Sequence, residues 1–267
     1  MTSTELLHAG RLDDALATLQ AEIRTRPEDP KLRVFLFQLN CVLGRWEKAL
    51  NQLQALASLN ADTMLLAQIF RPLIACELLR REVFCGKRTP LIFGEPMEWV
   101  GWLVRANALV AEENYVAAAE LRARAFDAAP ATPGKLNDAE FAWLADADSR
   151  LGPILEAMID GKYYWIPFCR IRKIITEAPS DLRDLVWLPA SFTWANEGNA
   201  IGHLPVRYAA TEAGSDDALR LARKTAWAEK PEDTFIGAGQ RLLTTDAGEY
   251  PLLECRTMDL EPEVASP

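Results

Sequence analysis

The chain holds few side chains able to make or break covalent bonds near neutral pH. It has two histidines, His8 and His203, and neither accompanies a G-x-S-x-G elbow or another nucleophile motif. HExxH, a Walker loop and a Rossmann glycine set are also missing from the sequence. The densest acidic constellation is Asp146-Ala-Asp148-Ser-Arg150. Alternating carboxylates of this kind hold Mg²⁺ or Ca²⁺ when further oxygen ligands follow at fixed spacing, and no EF-hand glycine or terminal glutamate follows here. The expectation is that these aspartates cap the junction between two modules of the chain and pair with Arg150. The alternative is a metal-dependent hydrolase centred on Asp146 and Asp148. Asp181-Leu-Arg183-Asp and Gly239-Gln-Arg241 set charges beside apolar residues, where they either orient a bound partner or form internal ion pairs. Five cysteines (Cys41, Cys76, Cys85, Cys169, Cys255) are widely spaced and odd in number, and they read as free thiols rather than disulfide or zinc ligands. The prediction is a protein that is not an enzyme, with no cofactor and no metal.

The elements around these residues divide the chain in two. Gly10-Arg-Leu-Asp-Asp-Ala-Leu and Gly44-Arg-Trp-Glu-Lys-Ala-Leu lie thirty-four residues apart, the period of a tetratricopeptide repeat. After the first glycine, Leu12, Ala15, Leu16, Leu19 and Ile23 make one helical stripe, ending near Arg26-Pro27. After the second, Trp46, Ala49, Leu50, Leu53 and Leu56 do the same, and Leu32 to Val42 supplies the helix between. A looser third unit starts at Asn114, with an apolar helix upstream beginning near Pro96. A helix over 62–84 contains Pro72 and is expected to kink there. Stacked helical pairs offer a groove for a peptide or another helix.

The breaker cluster Pro130-Ala-Thr-Pro-Gly134 ends the helical pattern. One more short helix is expected over 137–145. Then Asp160-Gly161, between apolar β-prone runs, predicts a hairpin whose two turn residues take positive φ. Further strands are expected over 171–175, 190–194, 200–206, 239–245 and 249–257, with a short helix over 216–223. The fold class is α+β: a TPR-like helical repeat domain over 1–134 and a small antiparallel β-rich barrel or sandwich over 135–258. An acidic tail over 259–267 is predicted to be disordered.

With 38 acidic and 29 basic side chains the net charge is −9, which disfavours nucleic acid and anionic membrane surfaces as partners. The N-terminus lacks a basic start followed by an apolar run, and no apolar stretch approaches the length needed to span a bilayer. The expected location is cytoplasmic.

Several blocks, in order, resemble the ImpE/TagJ accessory proteins of type VI secretion systems. They are Val83-Phe-Cys-Gly86 with Gly94-Glu-Pro96 and Trp99, Asp146-Ala-Asp-Ser-Arg-Leu-Gly-Pro153, and Gly161-Lys-Tyr-Tyr-Trp-Ile-Pro-Phe168. Asp181-Leu-Arg-Asp-Leu-Val-Trp187, Asp217-Ala-Leu-Arg-Leu221, and Gly239-Gln-Arg with Asp246-Ala-Gly-Glu-Tyr-Pro251 continue the series. The resemblance implies an adaptor that binds an N-terminal helix of the small sheath subunit and ties the contractile sheath to its ClpV-type AAA+ disassembly ATPase. It implies no catalytic residue. An apolar furrow rimmed by charge would seat such a helix, and the expected furrow is Tyr163, Trp165, Phe168 and Trp187, with Arg183 and Arg241 at its rim. A self-associating structural scaffold is the remaining alternative.

Overall fold

Gly10 and Gly44 both adopt the left-handed conformation, at φ +73° and +65°, just past the end of one helix and before the next. A side chain would be strained there, which accounts for the glycine shared by both repeats. Gly44 also needs the space: a Cβ would lie 2.1 Å from Cγ of Glu212, so this turn packs straight onto the second half. The computed structural model describes residues 1–262. Its helical half comprises α1 (Ser3–His8), α2 (Leu12–Thr25), α3 (Pro30–Val42), α4 (Trp46–Ala57), α5 (Ala61–Phe84), α6 (Glu98–Ala111) and α7 (Tyr115–Ala128), with strand β1 (Leu91–Ile92) between α5 and α6. The repeat boundaries fall where the glycines and Pro27 place them. Asn60 closes a capping box with Thr63 at the start of α5, and the helix continues as one element through Pro72. Helix α6 starts two residues beyond Pro96, after Met97.

The second half contains β2 (Gly134–Leu136), β3 (Ala139–Phe141), β4 (Leu144–Asp146), β5 (Ile154–Ile159), β6 (Lys162–Pro167), β7 (Ile171–Thr176), β8 (Trp187–Trp194) and β9 (Asn199–Pro205). After helix α8 (Asp217–Arg220) come β10 (Thr225–Lys230), β11 (Thr234–Gly239), β12 (Leu242–Thr245), β13 (Gly248–Pro251) and β14 (Thr257–Leu260). Nine strands form one sheet in the order β1-β6-β5-β9-β8-β7-β14-β2-β3, antiparallel except where β1 joins β6. β13-β12-β4 form a second sheet, and β10-β11 stand as a hairpin. Asp160 and Gly161 take φ +50° and +70° in the β5–β6 turn, as their types require.

Three sequence expectations change. Residues 137–145 are not helical: Asn137 turns the β2–β3 hairpin at φ +51°, and its Oδ1 accepts from the N–H groups of Arg256 (2.8 Å) and Thr257 (3.2 Å). Pairing with a distant strand overrides local helix preference there. The β10–β11 hairpin was not foreseen, because its strands are half exposed and its turn uses Glu232 and Asp233 at positive φ instead of an Asn-Gly pair. Of the tail, Asp259 and Leu260 belong to β14, and Asp259 pairs with Lys173 at 2.7 Å. Residues 263–267 lie outside the described residues.

The alternation of side chains across the large sheet gives it two apolar faces. One packs with the helices in a cluster running from Leu12, Phe37 and Phe70 to Met158, Trp165 and Trp187. The other, with Leu155, Ile166, Phe192, Leu204 and Met258, belongs to the strands. Residues on both sides of position 134 thus share the first core. The helical pairs leave no open groove at this place. Gln38 on α3 donates to Asp181 (2.6 Å), and Trp187 sits between Trp46 and Phe70 with ring centroids 5.9 and 5.8 Å away. Arg207 donates to the carbonyl of Val42 at the end of α3 (2.7 Å). The chain's own second half covers this surface of its repeats.

Candidate functional site

Where helices meet sheet, the chain buries charge. Arg80 on α5 forms a two-pronged pair with Glu156 on β5 (2.6 and 2.8 Å), approaches Glu77 (3.5 Å), and donates to the carbonyl of Arg207 (2.8 Å). Arg241, in the bend between β11 and β12, binds Asp146 at the end of β4 (2.6 and 2.9 Å) and reaches Glu156 at 3.4 Å. Asp148 holds Arg150 through both oxygens (2.8 and 2.6 Å) and also accepts from Gly237 N. Four acids (Glu77, Asp146, Asp148, Glu156) and four arginines (Arg80, Arg150, Arg207, Arg241) are buried in this region, so the charge balances. Burial of an unmatched ion would cost several kcal/mol, about what removing either partner of such a pair costs.

The network explains two opposite acidities. Burial alone would raise Glu156, but Arg80, Arg241 and the Tyr163 hydroxyl hold its carboxyl down at about 2. Burial wins at Asp146, pushed up to about 6, because Arg241 is its sole cationic partner and Asp148 stands beside it. Asp146 and Asp148 have their oxygens committed to N–H and O–H donors, including Asp148 N, Arg150 N and the Tyr208 hydroxyl. That arrangement fits turn capping and ion pairing, and among the described residues no cluster of three or more potential metal ligands occurs. The thiols of Cys41, Cys76 and Cys255 are buried and unbridged.

The six residues expected to touch a partner are placed as follows. The Tyr163 hydroxyl donates to Glu156, and the Trp165 indole donates to Tyr163 (2.7 Å). The Trp187 indole donates to Glu77 (3.1 Å), and Phe168 lies in the core on the other face of the sheet. All four aromatics and Arg241 are fully enclosed. This corrects the furrow and rim read from sequence: Tyr163, Trp165 and Trp187 pack in the core shared with the helices, Phe168 and Arg241 are buried within the second half, and none of the five presents a surface. Arg183 reaches partial exposure, with its guanidinium 4.9 Å above the Phe70 ring and paired with Asp181 at 3.0 Å.

An apolar groove of about 490 Å³ opens along the 144–153 segment, with Asp146 and Asp148 also among the residues that line it. One wall is the end of α7 and the link that follows it, with Phe126, Ala129, Pro130 and Ala131. The other is Trp143, Leu144, Ala145, Ala147 and Pro153. Phe126 and Trp143 remain 39% and 41% exposed, large for aromatic rings beside an apolar hollow. Helix α7 stops because Ala129 turns extended before Pro130. Gly152, at φ +52°, carries the floor: a Cβ there would meet the Phe126 ring at 2.3 Å. Asp127 follows Phe126 in the chain, Asp246 accepts from the N–H of Ala142 beside Trp143 (2.8 Å), and both acids are exposed. The breaker cluster at 130–134 and the Asp146–Pro153 block are both visible in the sequence, but the long-range contact that sets them face to face is not, and Phe126 and Trp143 carry no sequence signal of their own.

Comparisons with known proteins agree with this architecture. The family model described as ImpE protein matches residues 138–259, and a tetratricopeptide repeat model matches residues 6–69. The chain is 52% identical over 262 residues to the type VI secretion system accessory component TagJ of Pseudomonas aeruginosa, covering 98% of this chain and 92% of that one. It also superposes on an X-ray crystal structure of a protein from Vibrio parahaemolyticus with a TM-score of 0.89 and 25% identity, covering 98% of each chain.

Proposed function

The chain belongs to the ImpE/TagJ family of type VI secretion accessory proteins, and from that premise we propose that it is a non-enzymatic adaptor whose apolar groove between α7 and β4 holds an amphipathic helix. The helix in this reading is the N-terminal one of the small sheath subunit, and the bound adaptor links the sheath to the ClpV-type AAA+ ATPase. One observation carries it: the buried carboxylates are tied to arginines, while two aromatic rings stand half exposed over an apolar hollow. Such a hollow takes anchors spaced i, i+3, i+4 and i+7 on one helical face. The exposed Asp127, next to Phe126 in the chain, and Asp246, bonded to Ala142 beside Trp143, favour a helix flanked by Lys or Arg. Tyr163, Trp165, Phe168, Trp187 and Arg241 then act as the scaffold behind the groove. Among the described residues no helix is long and apolar enough to cross a membrane, in keeping with work on a cytoplasmic sheath.

The test is fluorescence anisotropy with a labelled peptide of the small sheath subunit's N-terminal helix, taken from the same secretion cluster. Wild-type protein should bind it, and Trp143→Ala and Phe126→Ala should each weaken binding roughly tenfold or more, as loss of an aromatic anchor does. Unchanged affinity in both variants would reject the groove. Concentration-dependent mass in light scattering, lost in the same variants, would instead favour the self-associating scaffold.

A further inference from the structure

The last strand of a sheet leaves outward N–H and C=O groups unpaired, and soluble proteins keep such edges short, bulged, covered or charged. Four edges of this molecule follow that rule. β1 and β3, at the ends of the large sheet, have two and three residues, and β4 and β13, at the ends of the second sheet, have three and four. The β10–β11 hairpin departs from it. β10 keeps six residues in unbroken register with β11 and pairs with no other strand among the described residues. Trp227, Ala228, Glu229 and Lys230 are exposed.

The bonds of β11 fix which way β10 points its free groups. The N–H groups of Phe235, Gly237 and Gly239 turn away from β10, to Ser149 Oγ, Asp148 Oδ2 and Thr211 Oγ1 (each 2.9 Å). The residues opposite them, Glu229, Trp227 and Thr225, therefore direct their own N–H and C=O groups outward, and among the described residues no other strand meets them. The far side of β11 is also anchored by Arg122, which donates to Thr234 Oγ1 (2.9 Å), and by Ile236 packed on the cluster of Leu109, Val110 and Ala118. β10 is thus held ready as a template, with little left to order on pairing.

We propose that two copies of the chain pair through β10, antiparallel across a two-fold axis at Trp227, giving a four-stranded sheet β11-β10-β10-β11. The strand reads Thr225-Ala-Trp-Ala-Glu-Lys230 and is complementary to itself in that register. Trp227 meets Trp227, Ala226 meets Ala228, and Thr225 meets Glu229, so outward groups face outward groups throughout. A shift of two residues one way would ask Pro231 for an N–H that it lacks. The opposite shift would ask Arg223 for one already given to the carbonyl of Ala218 (2.9 Å). The outermost pair sets Lys224 beside Lys230, and Lys224 is already neutralised by Asp216 (2.7 Å). Trp227 lies over the Tyr208 ring with centroids 5.4 Å apart and stays 40% exposed, which leaves an aromatic surface for its own copy. β10 contributes no residue to the α7–β4 groove, so the two contacts are separable.

Sedimentation equilibrium of the full chain tests the pairing, read from about 10 μM to about 1 mM because one strand pair is a small interface. The wild-type mass should rise toward that of two chains. Trp227→Lys and Trp227→Glu should each weaken association by about tenfold or more, since the axis sets each new charge against itself. An equal mixture of these two variants should regain it. Glu229→Pro removes an outward N–H and no bond to β11, and it should weaken association about as much, each variant remaining folded by circular dichroism. A wild type that stays monomeric, a dimer indifferent to Trp227→Lys, or a mixture of the charge variants that stays monomeric would overturn the proposal. The dimer should survive Trp143→Ala; its loss there would place the contact at the α7–β4 groove and overturn the β10 pairing.

Discussion

Trp187 and Trp143 sit in the same half of the molecule and do opposite work. Trp187 is enclosed between Trp46 and Phe70, with its indole N–H given to Glu77. Trp143 is 41% exposed at the lip of an apolar groove. The same contrast runs along a single segment. Asp146 and Asp148 commit their side chains to Arg241 and Arg150 while also bordering the groove, and Leu144, Ala145, Ala147 and Pro153 give that groove its apolar wall. An aromatic or a charge thus earns its role from what lies across from it, and the ionic side of this segment holds still what the apolar side presents.

If that division is right, the largest effects come from the ionic side. Arg80→Met leaves Glu156 and Glu77 buried without their main cation and should cost roughly 3–5 kcal/mol of stability, read by chemical denaturation. A loss under about 1 kcal/mol would mean that the network is dispensable. Trp187→Ala should cost about 3–5 kcal/mol, whereas Trp143→Ala should stay near 1 kcal/mol or below while losing helix binding. Equal destabilisation by the two would erase the comparison. Gly152→Val combines strain at φ +52° with a clash against Phe126, and it should cost about 1–3 kcal/mol and weaken helix binding in parallel.

A further effect is a pH slope. The folded acidity of Asp146 is raised to about 6 from 3.8, so its contribution is fully present below about pH 3.8 and is lost as pH rises through 6. Glu156 is lowered to about 2 from 4.5, so its contribution is present above pH 4.5 and is lost as pH falls toward 2. Asp146→Asn should therefore remove a downward trend in melting temperature between pH 4 and 6 and leave the acid limb below pH 4. Parallel curves for wild type and variant would contradict that assignment.

Much of the helical half was legible because its signals are local: Gly10 and Gly44 mark turns, and Pro27 marks a stop. The Asp160-Gly161 hairpin was legible for the same reason. The 137–145 segment was misread because its strands exist only through pairing: β3 with β2, which is itself held by the distant β14, and β4 with the distant β12. The binding surface was misread by a related route. Alternation places Tyr163 and Trp165 on one face of β6, but the sequence does not say that α5 covers that face. Phe126 and Trp143 carry no local mark, since their groove exists only when α7 folds against the 144–153 segment.

Hydrogen–deuterium exchange of the full protein with and without the sheath-subunit helix tests the division most directly. Protection gained over 126–132 and 143–153, with 163–168 and 187–194 already slow and unchanged, is the predicted pattern. New protection confined to 163–168 and 187–194, with the α7–β4 groove still open to exchange, would contradict it.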